Sequence, residues 1–200
     1  MKKRFAVLLL AISAATILLS CGQQKVLLIA RRGGESLDSF LTVEIPMMTK
    51  MLKESGYSYL VASDSMEPIK AYSSSLTVDV LTSEARMQDY KGVLIACLGS
   101  KQAPEPAVAI VKKALHMSKA IASADGGLIV LSKAGVLANR RYAATKTDIW
   151  EFDKNGIFSG EGVIQDGLVI TAGTCCLDSG KQDGTAELMR MFINSLKGSR

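Results

Sequence analysis

Histidine is the scarcest polar residue in this 200-residue chain, with His116 alone, and there is one tryptophan, four prolines and an aromatic content of 6%. Each scarcity excludes something. A Ser-His-Asp triad would have to use His116, and no motif places it near a serine. It falls near the end of a predicted helix, where an imidazole is solvated or offsets the helix dipole. No cluster of Lys and Arg with interleaved aromatics is present, so there is no footprint for nucleic acid. Trp150 and Tyr142 read as packing residues rather than ligand platforms. Internal repeats and low-complexity tracts are also lacking.

Acidic residues are missing from the first twenty positions, where Lys2, Lys3 and Arg4 precede an uncharged apolar run from Phe5 to Leu19. That is the layout of a secretory signal. The run, at about 15 residues, is shorter than the roughly 20 that a membrane-spanning helix requires. It ends in Leu18-Leu19-Ser20-Cys21, the form of a bacterial lipoprotein signal, with a small residue before a Cys that receives acyl chains. The expected organisation is a removable signal at 1–20, a lipid anchor and short tether at 21–25, and one domain at 26–200. Cys21 is the expected lipid attachment site, and lipoprotein acylation supplies the two or more chains that stable anchoring needs. The expected location is the cell envelope. Gly22 after the Cys, in place of Asp, points to the outer membrane in a host with two. The three basic residues of the signal carry three of the five excess positive charges. A mature domain near +2 is left, with enough Val, Ile, Leu and Ala for one ordinary core.

In the mature chain, short apolar runs alternate with amphipathic stretches, the sequence form of a parallel sheet covered on both faces. Strands are predicted at Val26–Ala30, Tyr57–Ala62, Gly92–Cys97 and Ala120–Ala124. Helices are predicted at Thr42–Ser55, stopped by Gly56, at Glu105–Met117, at Gly126–Lys133, and at Thr185–Lys197, ending at Gly198. The segment Ala71–Met87 reads as irregular, with a short strand or hairpin around Thr77–Leu81. Gln165-Asp166-Gly167 is a hairpin turn between Gly162–Ile164 and Leu168–Thr171, with the Asp-Gly chemistry such turns favour. The fold class is α/β, a three-layer sandwich with a mainly parallel, flavodoxin-like sheet. Gly33-Gly34 follows the first strand but matches neither the dinucleotide nor the P-loop pattern, so no cofactor is expected. Arg31 and Arg32 beside it suit an anion or a solvated loop.

Three stretches resemble the ThiJ/PfpI superfamily, itself similar to class I glutamine amidotransferase domains. Glu44-Ile45-Pro46 through Gly56 is similar to the family's first helix, with an acidic residue twelve positions before the closing Gly. Asp89-Tyr90-Lys91-Gly92-Val93-Leu94-Ile95 is similar to the strand leading to the family's Gly-rich turn. Lys119 through Gly127, continuing to Ala134-Gly135-Val136-Leu137 and Arg140-Arg141, resembles the nucleophile elbow and the helix after it. The family's enzymes carry a Cys at that elbow, often followed by His, with the helix-one Glu touching the thiol. On this resemblance Asp125 occupies the Cys position and Gly126 the His position, Glu44 is retained, and Cys97-Leu98-Gly99 stands in the Gly-rich turn. The family's glyoxalase, deglycase and peptidase chemistries depend on a thiolate, which Asp125 cannot supply. The resemblance also implies a homodimer.

If Glu44 and Asp125 meet at the carboxyl edge of the sheet, two close carboxylates cannot both ionise comfortably and a proton is shared, with Glu44 the expected holder. Such a pair suits acid/base work, a cation or a polar ligand. The competing reading is that Asp125 caps the helix starting at Gly126. Cys97, Cys175 and Cys176 are expected at this same edge. Adjacent cysteines have Cα atoms about 3.8 Å apart, below the roughly 4.4 Å minimum for a disulfide, so Cys175 does not bond Cys176. Open to them are a bridge from Cys97, a displaced reactive thiol, a soft-metal site with Asp125 or Glu44, or burial as small apolar groups. Two functions follow. One is a membrane-anchored lipoprotein with a degenerate site that binds a small molecule or protein. The other is an enzyme of altered chemistry using Glu44 and Asp125, or Cys97.

Overall fold

The computed structural model describes residues 24–33, 37–99, 102–145, 155–174 and 184–198. Cys21, the signal region, Gly34, Trp150, Cys175 and Cys176 lie outside the described residues.

The chain forms β1 (Lys25–Ile29), α1 (Ile45–Glu54), β2 (Ser58–Ser63), β3 (Ile69–Lys70), β4 (Ser75–Leu76), β5 (Val80–Leu81) and β6 (Gly92–Ile95). Then come α2 (Glu105–His116), β7 (Ala120–Ala124), α3 (Leu128–Lys133), β8 (Arg141–Tyr142), β9 (Ile157–Phe158), β10 (Val163–Asp166), β11 (Val169–Ala172) and α4 (Thr185–Gly198). Seven strands make the central sheet in the order β10-β11-β7-β6-β1-β2-β5. All its pairings are parallel except the β10–β11 hairpin. This is the flavodoxin-like α/β sandwich that the alternation of runs predicts. Its chain reverses direction of travel across the sheet at β1, which lies between β2 and β6. A parallel sheet buried on both faces reads as continuous apolar sequence, and Val26–Ile29, Val93–Ile95 and Ala120–Ala124 are buried without a break.

Alternation within the strands sorts the core into two layers. Leu27, Ile29, Val93, Ile95 and Ile121 face α2 and α3. Val26, Leu28, Leu94 and the alanines at 120, 122 and 124 face α1 and α4. The small β7 side chains leave room for α4, whose Leu188, Phe192 and Leu196 are buried as its periodicity predicts. Full burial of each contributes about 1.5–3 kcal/mol.

Two helices end in the same cap, the first at the glycine expected to stop it. Gly56 closes α1 at φ 81°, with its N–H donating to Lys53 and that of Tyr57 donating to Leu52. Ser118 closes α2 in the same Schellman geometry at φ 52°, so its positive φ belongs to a helix cap.

Several boundaries differ from expectation for local reasons. β10 runs through Asp166, and the hairpin turn is Gly167-Leu168, one residue later, with Gly167 supplying the positive φ of 63°. A glycine in the first of two turn positions is what a type II′ hairpin requires. The segment read as irregular holds β4, which pairs with β3 just ahead of it in a two-stranded hairpin, and β5, which joins the main sheet beside β2. That hairpin is docked by Asp38, whose carboxylate accepts the Ser73 backbone N–H and hydroxyl at 2.8 and 2.9 Å. Those bonds, the backbone one first, hold the Asp38 carboxyl below its ordinary value of 3.8. The docking is therefore complete above that pH and is lost as the pH falls through the lowered value.

Candidate functional site

Three segments meet at the carboxyl edge of the sheet, where open α/β folds bind ligands at the point of reversal. The first enters α1. Phe40–Glu44 is wound as a π-helical turn ahead of Ile45, an arrangement that often marks functional sites. It carries the Glu44 side chain fully under cover, with 0% exposure. The helical region thus begins earlier than the predicted Thr42, and its first regular turn starts at Ile45, with Pro46 in the first turn, where its missing N–H costs nothing.

The second segment follows β6. The ladder's last bond on this side runs from Ala96 N–H to the Ile29 carbonyl. The next amide, of Cys97, leaves the sheet and donates to Glu44 Oε1 at 2.7 Å. That switch of acceptor is why β6 stops at Ile95 rather than at the predicted Cys97. The Cys97 side chain is 6% exposed and packs on Phe40, apart from the two main core layers. It is present as a thiol.

The third segment is the turn from β7 into α3. Asp125–Gly127 forms a 3-10 turn and Leu128 starts the helix. Asp125 has φ 33°, in the left-handed region that costs most non-glycine residues about 1–3 kcal/mol. Unlike Ser118, no helix end requires it. Its side chain lies against Cys97, whose Sγ donates to Asp125 Oδ2 at 3.6 Å. An N-cap residue has extended backbone, so at this φ Asp125 does not take the capping role that its sequence position also suggested. The turn sits hard on its neighbours. A Cβ on Gly127 would meet Ser123 Oγ at 2.6 Å and the Ala96 carbonyl at 2.9 Å, and one on Gly126 would meet Cys97 Sγ at 3.1 Å.

Cys97 therefore stands between two carboxyl groups, its amide on Glu44 and its thiol on Asp125. A carboxylate can only accept, so the proton of the Cys97–Asp125 bond is on sulfur when Asp125 is ionised. A buried thiol in that contact is not the electropositive, accessible setting of a reactive cysteine.

The fully buried Glu44 gives a direct test. Glu44→Gln keeps an oxygen acceptor for the Cys97 amide and should stay within about 1 kcal/mol of wild type, whereas Glu44→Ala strands that amide and leaves a cavity, costing about 3 kcal/mol. Urea unfolding of both variants measures the difference. Equal losses would remove the amide contact from the account.

Of the other candidates, Arg31 donates to the Gln102 carbonyl at 2.9 Å. Arg32 is engaged by Ser65 and Glu67, beside a cleft of about 320 Å³ that Gly33, Leu37, Pro68 and Lys70 also line. His116 is exposed in the last turn of α2. Tyr142 is buried edge-on to Phe158 with ring centroids 6.2 Å apart, as a packing residue. Phe40, missed by sequence reasoning, lies four residues before Glu44, and that spacing on one helical face was its only signal. Among the described residues, no three His, Cys, Asp or Glu side chains are grouped to hold a metal.

The DJ-1/PfpI family profile matches residues 24–176. The chain belongs to the DJ-1/PfpI family. Solved structures agree in fold. A ThiJ/PfpI domain protein from Brachyspira murdochii superposes with a TM-score of 0.70 at 16% identity, over 88% of this chain and 99% of that one. DJ-1beta from Drosophila melanogaster gives 0.68 at 18% identity, covering 88% and 91%. Oxidized DJ-1 from Toxoplasma gondii gives 0.64 at 18% identity, covering 88% and 95%. No curated protein matches the sequence.

Proposed function

We propose that this chain is a lipid-anchored DJ-1/PfpI lipoprotein whose site binds a small polar ligand and has given up the thiol chemistry of the family's enzymes. The observation that carries the reading is Asp125 at φ 33° on the turn out of β7, with its carboxylate on the Cys97 thiol. A strained strand-to-helix turn at the sheet edge is the setting of an elbow residue. In this chain that residue is Asp125, in the place of the family's cysteine. A carboxylate does not attack a carbonyl as a thiolate does. Asp125, the half-buried member of the three, can instead meet a polar ligand at the sheet edge, with Cys97 and the buried Glu44 packed behind it. The layout of residues 1–21 supports export, signal removal and acylation at Cys21, with the outer membrane as destination in a two-membrane host. Gly22–Gln24 leaves only a short tether before the domain.

Assays on methylglyoxal and on peptides, with wild type, Asp125→Ala and Cys97→Ser, test the functional half. No turnover above buffer is expected from any of the three. Robust wild-type turnover that disappears in either variant would establish the alternative, an enzyme of altered chemistry built on Glu44 and Asp125 or on Cys97. Mass spectrometry of the mature protein tests the anchor, with an acylated Cys21 expected as its first residue. An unmodified amino terminus at another residue would overturn it.

A further inference from the structure

Parallel topology sends every β1, β2, β6, β7 and β11 amino end to one edge of the sheet, together with the carboxyl ends of α1, α2 and α4. The site occupies the opposite edge. The chain joins the fold at Lys25, which begins β1 and so lies on the amino edge.

That edge is basic. Lys25, Lys91 and Lys119 stand immediately before or at the start of β1, β6 and β7, and Lys53, Lys113 and Lys197 fall in the last turns of α1, α2 and α4. Among the described residues, none of these six lysines is in an ion pair. Acids nearby are already matched: Glu54 with Lys50 at 3.8 Å, Asp89 with Arg86 at 3.0 Å, and Asp166 with Arg140 at 4.0 Å. Asp79 accepts the Val61 amide. Among the described residues the carboxyl edge is acidic on balance, with Asp38, Asp64, Glu67, Glu105 and Glu187 in its loops and first helical turns against Arg31, Arg32 and Lys70, Arg32 being paired with Glu67. Basic residues at helix ends offset helix dipoles, which accounts for Lys53, Lys113 and Lys197. It does not account for the three lysines ahead of strands.

Cys21 precedes Lys25 by four residues, a reach of at most about 14 Å. An anchor there holds the amino edge close to the distance, roughly 8–10 Å, over which charges are felt through physiological salt. Resting on the lipid-anchor reading, we infer that the lysines of the amino edge dock this domain onto anionic lipid headgroups, which aims the Glu44–Cys97–Asp125 site away from the membrane. Lipid chain and basic patch then act as two signals on one surface. The acidic carboxyl edge is repelled from the same headgroups, so only one orientation satisfies both.

The test uses the mature protein purified from membranes. Intact mass first reads acylation at Cys21. If it is absent, the anchor reading fails and this inference falls with it. If it is present, the protein is reconstituted into vesicles of phosphatidylcholine, and of phosphatidylcholine with phosphatidylglycerol, and lysines are labelled with an amine-reactive ester. Labelling of Lys25, Lys91 and Lys119 should slow about fivefold on the anionic vesicles, the factor expected for one lysine held at such a surface. Lys70, in the β3–β4 hairpin beyond the carboxyl end of β2, should not change. In a Lys25→Gln, Lys91→Gln, Lys119→Gln variant, Lys113 and Lys197 should lose their protection. Equal labelling on both vesicles, protection of Lys70 instead, or protection that persists in the triple variant would each overturn the inference and leave the anchor standing.

Discussion

Asp125→Cys should create a thiol that takes iodoacetamide on the order of tenfold or more faster than Cys97 in the same folded protein. Cys97 is 6% exposed, and both its amide and its thiol are occupied. Residue 125 is half-buried, on the turn out of β7. Thiol reactivity follows access and thiolate fraction, and a thiol at 125 has the greater access; loss of the carboxylate beside Cys97 favours the Cys97 thiolate, but burial still shields it. The backbone should accept the change poorly, because Asp tolerates positive φ better than Cys does. A loss of about 1 kcal/mol is therefore expected alongside the gain in reactivity. Peptide mapping after brief labelling separates residue 125 from the other cysteines. Equal labelling of 97 and 125 in the variant would mean that position 125 lacks the elbow's exposure, and the proposed equivalence to the family's nucleophile would fall.

Gly127→Ala should cost about 3 kcal/mol, a large share of the 5–15 kcal/mol that holds an ordinary domain together. The added Cβ would lie 2.6 Å from Ser123 Oγ, 2.9 Å from the Ala96 carbonyl and 2.9 Å from Ile95 Cγ2. A carbonyl in a buried strand extension cannot move aside as a flexible side chain would. Relief must come from lifting the 3-10 turn off β6, which also carries Asp125 away from Cys97. A shift of the urea midpoint with an unchanged slope is the expected signature. Gly162→Ala is the control, since its Cβ would meet nothing within 4 Å. Equal loss in both variants would show that the elbow is not packed as described.

How much of this was readable in the chain varies by element. β7 was predicted residue for residue, because Lys119 and Asp125 bracket a run whose one polar residue is the small Ser123. α4 declared its buried face through Leu188, Phe192 and Leu196, whereas Met191, expected with them, is half-buried and Met189 and Ile193 complete the face. Boundaries set by non-local partners were less readable. Cys97 looks like the end of a strand until Glu44, 53 positions earlier, takes its amide. The Gly167-Leu168 turn shifted by one residue because Asp-Gly is also a good turn sequence, and strand register decided between them. Glu44, Cys97 and Asp125 were each visible as candidates. Their gathering at one edge was expected only through the family resemblance, and the place of Cys97 between the two acids was not expected, because it depends on β1 and β7 flanking β6, a pairing that composition and periodicity do not encode. The capping role considered for Asp125 gave way to its left-handed backbone, a property of the folded turn.

The most direct measurement of the carboxyl–thiol–carboxyl site is the titration of the Glu44 side-chain carbon by NMR in wild type and in Asp125→Asn. Two carboxyl groups on one cysteine share an electrostatic fate. Removing the charge at 125 should let Glu44 ionise at a distinctly lower pH. A Glu44 titration that is identical in the two proteins, with Asp125 ionising as an isolated surface carboxylate does, would contradict the account.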